Sequence, residues 1–378
     1  MNRWFGVPAV MKNDEVGPEY FIQVTDPKVG LVAFLSIDNT NLGPGKGGCR
    51  LAQNVSGEEV FRLSRAMTWK NALAELPFGG AKSGIDVGNR NPHDPKQVNK
   101  EALIRAFARK VKYLIPEKYI AGPDMNTTEV EMDVFADEVG NPKATTGKSK
   151  AKGGLPHELG STGFGVAKST LVALEEMNIA PAAATVAIEG FGNVGTFAMK
   201  FLTEAGCRVV CVSDSKGAIH DESGLDYDKL MRVKHEKGTV TAYESAGAKK
   251  IDGAALFGLP VTVLIPGARP DVVNESNKNA VRCKLFVEAA NIPVSEKIEE
   301  EFWKRGIIFI PDFVANAGGV ISSYVEFIDG TEQQMFKTVE QKIVKNTRLV
   351  MEEALRTKLN PRDVARRIAR ERVMAKKK

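Results

Sequence analysis

At 378 residues, with 43% hydrophobic and 26% charged side chains, the chain exceeds one ordinary core and has the make-up of a globular protein of two domains. A formal net charge of +5 is too small to mark a nucleic-acid partner, and the basic run PRDVARRIARERVMAKKK reads as a solvated helix face with a frayed tail. No apolar run approaches a membrane span and the opening MNRWFGVPAVMKNDE lacks a secretory apolar block, so the expected location is cytoplasmic, with no membrane partner.

Two strand-like runs come first, EYFIQV (19–24) and LVAFLSID (31–38), followed by the Gly-rich turn NLGPGKGGCR (41–50). A helical stretch from about Gly57 to Glu75 carries Val60, Leu63, Met67 and Ala74 on one stripe, and Lys70 falls on it too. SGIDV (83–87) reads as a strand, and 97–114 as a helix with Leu103, Phe107, Val111 and Leu114 in line. Another helix opens within TTEVEMDVFADEV (127–139), where Thr128 and Glu131 make a capping box. Residues 141–160, NPKATTGKSKAKGGLPHELG, have no apolar period and read as an interdomain crossing.

Beyond that segment short apolar strands alternate with helix-length polar stretches: TVAI (185–188), RVVCVSD (208–214), VTVLI (261–265), KLFVE (284–288) and IIFI (307–310). Such alternation predicts an α/β fold with a parallel sheet covered on both faces. The C-terminal stretch reads as helical and charged. Four scattered cysteines (Cys49, Cys207, Cys211, Cys283) read as reduced core residues, and four histidines (His93, His157, His220, His235) form no ligand pair, so no metal is expected.

Between TVAI and the next helix lies GFGNVG (190–195). Gly190, Gly192 and Gly195 permit a tight turn and close backbone approach, with Asn193 and Val194 opening the helix that would face a pyrophosphate. The following strand ends in Asp214, placed to accept hydrogen bonds from an adenosine ribose. The cofactor is therefore NAD or NADP. Asp214 tilts the choice slightly to NAD, although Ser213, Ser215 and Lys216 could hold a 2′-phosphate.

Two lysines stand in MTWKNALAELPFGGAKSGI (67–85), a segment that otherwise reads as buried. GGAKSG is not a phosphate-binding P-loop, since Ala81 and Leu76 occupy places where that motif needs glycine. Lys82 follows Gly79-Gly80-Ala81, and Lys46 has a similar setting in GPGKGG. With Lys70 they suggest an anion pocket, in which crowded cations titrate low and a lysine can serve as a base. Asp124, in the loop GPDMN, is left free for chemistry because Thr128 caps the helix that follows.

GPGKGGCR, MTWKNALAELPFGGAKSGI, GPDMNT, VAIEGFGNVG, VSDSKGAI and IPDFVANAGGVISSYVEF, in that order, resemble the signatures of the glutamate/leucine/phenylalanine/valine dehydrogenase family. The resemblance runs from about residue 31 to the C-terminus. It implies an N-terminal α/β substrate-binding and oligomerisation domain (1–150) to which C-terminal helices (about 335–378) return, and a Rossmann-type NAD(P)-binding domain (151–334), with a cleft between them. It also implies interconversion of an L-amino acid with its 2-oxo acid and ammonia, in a homo-oligomer expected to be a hexamer. On the matching positions Lys82 and Asp124 take the catalytic places and Lys70 the one that holds the substrate α-carboxylate. Asn316 takes the place of the active-site asparagine, and Thr162 and Asn291 places around the nicotinamide.

Glutamate-acting members resemble this chain in having Lys46 in the GPxKGGxR turn and Ser323 seven residues after the NAGGV asparagine, which would hold a side-chain carboxylate. L-Glutamate and 2-oxoglutarate are thus the expected substrates. SIDNTNLGPGKGG looks instead like the leucine and valine branch, and Glu189, Gly122, Ala289 and Phe327 depart from the usual glutamate-branch residues, so a branched-chain amino acid is the alternative. A catalytically silent nucleotide-binding regulator is disfavoured by the presence of both Lys82 and Asp124. A 2-hydroxy-acid dehydrogenase is disfavoured because no histidine has a catalytic setting.

Overall fold

The first two apolar runs form strands β1 (Tyr20–Asp26) and β2 (Leu31–Asn39), an antiparallel pair in the computed structural model, which describes residues 13–156 and 159–376. Residues 1–12, the opening expected to lack a secretory block, and His157 lie outside those residues. Strands β3 (Gly45–Ala52), β4 (Gly79–Asp86) and β5 (Tyr119–Pro123) complete a five-stranded sheet in the order β1-β2-β4-β3-β5, with β3 parallel to both neighbours. Helices α1 (Gly57–Leu73), α2 (Lys100–Val111) and α3 (Glu129–Val139) accompany it. Both bonds of the expected Thr128–Glu131 capping box are present at the start of α3. The stripe Leu103, Phe107 and Val111 packs into one buried core with Leu35, Ile37, Cys49, Leu51 and Tyr119 from the sheet, as expected of apolar residues at helical and strand periods.

Helix α1 departs from the expected stripe. Leu63, Met67 and Lys70 are only half-buried, and the buried face is Val60, Ser64, Thr68, Asn71 and Ala72. The reason is proximity to β4: a Cβ on Gly80 would lie 2.1 Å from Thr68 Oγ1. At that distance small polar side chains fit and bond across the gap, Ser64 Oγ to Ser36 Oγ at 2.8 Å and Asn71 Nδ2 to the Gly79 carbonyl at 2.7 Å.

The second sheet has seven strands. Five are parallel: β6 (Thr185–Glu189), β7 (Arg208–Asp214), β10 (Val263–Pro266), β11 (Leu285–Val287) and β12 (Ile308–Ile310). Strands β8 (Gly217–His220) and β9 (Lys249–Ile251) extend it antiparallel, giving the order β12-β11-β10-β6-β7-β8-β9. These two are short and partly polar, so no apolar run marks them. The order reverses between β6 and β10, which is where open parallel sheets take ligands. Around it stand α4 (Ser161–Glu176), α5 (Asn193–Glu204), α6 (Tyr227–Lys237), α7 (Glu296–Lys304) and α8 (Asp312–Ala315). The chain ends in α9 (Gly318–Phe327), α10 (Glu332–Thr357) and α11 (Pro361–Met374).

Two compact units result. One takes the chain up to Leu159, then Val320–Met335 and everything from Arg366, and the other takes Gly160–Gly319 and Phe336–Ala365. Most of α10 therefore lies in the second unit, not with the first as the sequence suggested. The segment read as an interdomain crossing is in part ordered and buried: Thr145 pairs with Ala121, and Thr145, Thr146 and Lys148 are buried. No helix among the described residues is long and apolar enough to cross a membrane.

Candidate active site

Strand register builds the first part of the site. Because side chains alternate across a strand, the pairings Lys46–Gly80, Arg50–Gly84 and Gly48–Gly122 put Lys46, Gly48 and Arg50 on one face with Gly80, Lys82, Gly84, Gly122 and Asp124. On the opposite face Cys49, Leu51, Ala81, Ile85, Tyr119 and Ala121 belong to the apolar core. The glycines of the reactive face give it room. A Cβ on Gly48 would stand 2.7 Å from the Cβ of Asp124, and one on Gly122 would stand 2.5 Å from Lys46 Nζ.

Lys82, 7% exposed, pairs with Asp124 Oδ2 at 3.0 Å, and Arg50 Nε reaches the same oxygen at 2.9 Å. Burial raises the Asp124 carboxyl, but the charges of Lys82 and Arg50 outweigh it and hold the group below its ordinary range. Lys46 is 4% exposed. Burial lowers its ammonium to about 8, with Lys82 and Lys148 pushing the same way against the pull of Glu326. Beside it the buried Thr146 hydroxyl has no hydrogen-bond partner. Glu326 accepts Lys148 Nζ at 2.7 Å and the backbone N–H groups of Gly147 and Leu155. Ser323 is half-buried on α9, one turn before Glu326, and Lys70 is half-buried on α1. A cavity of about 300 Å³ opens against Asp124 and Lys148, walled by Pro123, Thr127, Gly147 and Leu155.

Register thus brings Lys46, Lys82 and Asp124 together, as the sequence suggested. Sequence reasoning missed Arg50, Thr146, Lys148 and Glu326. Arg50 was within reach, being four residues after Lys46 in a strand and so on its face. Lys148 and Thr146 were hidden in a segment with no periodicity.

The second unit carries a dinucleotide-sized turn. Gly190 adopts φ +90° and a Cβ there would stand 2.8 Å from that of Ala268; a Cβ on Gly195 would stand 2.1 Å from the Gly190 carbonyl oxygen. Gly192 borders open space and, as N-cap of α5, offers no side chain to close the helix start, which Asn193, Val194 and Gly195 form. Glu189 accepts the N–H groups of Gly267 and Ala268, tying the end of β10 to the turn. The residues fit a nicotinamide dinucleotide, whose pyrophosphate such a turn accepts.

Asp214 does not stand ready as expected. Its Oδ1 accepts Lys216 N and Thr239 Oγ1, and its Oδ2 accepts Lys234 Nζ at 2.6 Å and Val240 N at 2.8 Å. Four donors fill the four lone-pair sites of a carboxylate, so none remains for a ribose hydroxyl. Burial raises this carboxyl too, but Lys234 and the backbone donors hold it below its ordinary range.

Near the ends of β11 and β12, Asn316 Nδ2 donates to the carbonyls of Ala289 and Ala290 and to Asn291 Oδ1 at 3.1 Å, while its own buried Oδ1 has no partner. Thr162 lies against the same asparagine–glycine segment: a Cβ on Gly319 would be 3.1 Å from Thr162 Oγ1. Behind it Arg362 meets three buried carboxylates, Glu288 at 2.9 Å, Glu299 at 2.6 Å and Asp312 at 3.1 Å. Burial and the neighbouring Glu299 push Glu288 well above the usual carboxylate range despite Arg362. Asp312 in turn accepts the N–H of Ile292 at 3.0 Å.

Known proteins are similar to this chain in sequence and in fold. A family model described as "Glutamate/Leucine/Phenylalanine/Valine dehydrogenase" matches residues 153–378, and one described as "Glu/Leu/Phe/Val dehydrogenase, dimerisation domain" matches residues 18–141. A glutamate dehydrogenase of Aeropyrum pernix is 39% identical over 359 residues, 90% of this chain and 85% of that one. An NADP-specific glutamate dehydrogenase of Saccharolobus shibatae is 38% identical over 86% of this chain and 79% of its own. Among solved structures, the hetero-hexameric glutamate dehydrogenase of Thermus thermophilus in its Leu-bound form superimposes with a TM-score of 0.81 at 26% identity, covering 95% of this chain and 89% of that one.

Proposed function

The chain belongs to the glutamate/leucine/phenylalanine/valine dehydrogenase family, and we propose that it interconverts L-glutamate with 2-oxoglutarate and ammonia, using NAD(P). The observation that carries the choice of substrate is buried Lys46, still largely charged at neutral pH, beside an unpartnered Thr146 hydroxyl. An apolar substrate side chain would leave both groups unsatisfied, which costs several kcal/mol, roughly 2–5. A carboxylate satisfies both, with Ser323 placed one turn from Glu326 to add a hydrogen bond. That weighs against the branched-chain alternative.

The Gly190–Gly195 turn would hold a nicotinamide dinucleotide, which would supply the acceptor for a hydride from the substrate Cα. Lys70 holds the α-carboxylate. Lys82 takes a proton from the water that attacks the substrate imine carbon, and Asp124 carries protons to and from the substrate nitrogen until ammonia leaves. The pair at 3.0 Å suits this exchange, because it holds the two groups at contact distance, and the Lys82 charge favours the ionised Asp124 carboxylate. Asn316, fixed by three acceptors, offers its orphaned Oδ1 to a donor at the reacting end.

For the cofactor, the preference for NAD loses its support because Asp214 is saturated. Lys234, Lys216 and Thr239 surround that carboxylate with donors, and an NADP-specific relative is 38% identical, so we read NADP as accepted. A homohexamer is the assembly we propose, from the dimerisation-domain match and the hexameric relative. The four cysteines, all free and buried, suit a cytoplasmic location. The test is a panel of 2-oxo acids with ammonia, run with NADH and NADPH side by side. Ammonia-dependent oxidation should be fastest with 2-oxoglutarate. An equal or faster rate with 4-methyl-2-oxopentanoate would remove the glutamate reading.

A further inference from the structure

Arg50 has no part in the chemistry just described, yet it touches the group that does. It comes off β3 on the reactive face, and its Nε meets Asp124 Oδ2 at 2.9 Å, the oxygen that Lys82 Nζ also meets at 3.0 Å. Gly48 lets Asp124 settle between the two cations, since any side chain there would collide with it. Behind Arg50 stands Glu59, in the first turn of α1, which accepts a hydrogen bond from Arg50 Nη1 and whose own N–H is capped by Ser56 Oγ at 3.1 Å. Among the described residues no donor meets Asp124 Oδ1.

Two cations on one carboxylate oxygen are redundant for charge balance but not for a reaction in which one of them changes state. Lys82 gains and loses a proton during the cycle, and each loss would release Asp124 if Lys82 alone held it. A guanidinium does not deprotonate, and its planar fork fixes direction as well as charge. We propose that Arg50, braced by Glu59, is a positioning residue that keeps Asp124 ionised and oriented through Oδ2 while Lys82 exchanges its proton, reserving Oδ1 for the substrate nitrogen. The inference rests on the roles of Lys82 and Asp124 proposed above.

Charged and titratable groups around Asp124 are Lys82 on β4, Arg50 and Cys49 on β3, Tyr119 on β5, and Glu129 and Lys148 bordering the same cavity. Burial pushes the Cys49 thiol up to about 12 and Tyr119 well above its usual value, so neither titrates in acid. Arg50→Met should move the acid limb of the kcat/KM profile upward by about one pH unit, because Asp124 loses an opposite charge at contact distance. It should lower kcat roughly 10- to 100-fold with the KM for 2-oxoglutarate within about threefold of wild type. Arg50→Lys keeps the charge without the fork, so its limb should stay near wild type while kcat falls, and it serves as the test if the Met variant does not fold. Glu59→Gln removes the brace and should lower kcat a few-fold with no upward shift of the limb.

The proposal is overturned if the Met variant keeps kcat within about twofold, if its kcat falls with the limb unmoved, or if the Lys limb moves as far as the Met limb. Asp124→Asn separates the two levels: wild-type turnover in that variant would remove the proposed role of Asp124 itself, and not merely that of Arg50.

Discussion

Each unit of the molecule buries a cluster of charges, and the two have opposite surpluses. On the five-stranded sheet Lys46, Lys82, Arg50 and Lys148 face Asp124, Glu326 and Glu59. In the seven-stranded unit a single Arg362 faces Glu288, Glu299 and Asp312. A surplus of buried carboxylates can be relieved from within, since burial and like charge make one of them easier to protonate, and Glu288 is the group so raised. A surplus of cations has less internal remedy: arginine stays charged, and Lys46, though lowered to about 8, remains mostly ammonium at pH 7. The first cluster therefore calls for an anion from outside, whereas the second can shed part of its excess by holding a proton. Buried charge points to a ligand where the chain's own protons cannot balance it.

That contrast can be broken at several points. Lys82→Ala should lower kcat roughly 10³- to 10⁴-fold while a nucleotide titration keeps its affinity; a residual kcat above a tenth of wild type would exclude Lys82 as the base. Arg362→Met should destabilise the protein by about 3–5 kcal/mol, because it strands buried carboxylates. Thermal unfolding of the two variants compares the clusters directly, and an equal loss of Tm would erase the distinction between a cluster built for binding and one built for folding. Lys46→Leu should cut kcat/KM for 2-oxoglutarate about a hundredfold and turn preference toward apolar 2-oxo acids, read from the same substrate panel. Unaltered glutamate activity would show that Lys46 does not meet the side-chain carboxylate.

The smallest expected effect is in pH. Glutarate, an unreactive dicarboxylate, should bind with full affinity while Lys46 is protonated and lose affinity as pH rises through about 8. The same titration of Lys46→Met should be flat over that range. For stability the sign is reversed. The folded state favours neutral Lys46, so the cost of burying its charge falls as pH climbs from about 8 toward the ordinary lysine value of 10.5.

How much of this was legible beforehand differs between the two units for a physical reason. The dinucleotide turn is a local backbone device, so its glycines stand within six residues and between a strand and a helix. The reactive face of the first sheet is assembled from β3, β4 and β5, and only their register shows that Lys46, Lys82, Arg50 and Asp124 meet. Family resemblance supplied three of those four. Thr146 and Lys148 are buried without any apolar period, because a polar site needs none, and a segment read as a crossing became a wall of the pocket. Asp214 was read from its place at the end of a strand, whereas its saturation depends on Lys234 and Thr239, 20 and 25 residues away, which no local motif announces. The α1 face was misread because periodicity assumes an apolar interface, whereas the close approach to Gly80 of β4 puts the small polar side chains Ser64 and Thr68 in the middle of this one.

The C-terminal helix has a consequence for the order in which the protein is made. Arg372 donates to the carbonyls of Ala72 and Leu73 at the end of α1, and Ala369 and Val373 beside it are fully buried. Those carbonyls wait 299 residues, from Leu73 to Arg372, for their partner to leave the ribosome. In that interval the whole of Gly160–Gly319 is synthesised, so the nucleotide unit has most of its chain while the substrate unit still lacks its last helix. A nascent chain thus carries a half-finished first unit, whose last helix follows the chain of the second unit although its own strands precede it.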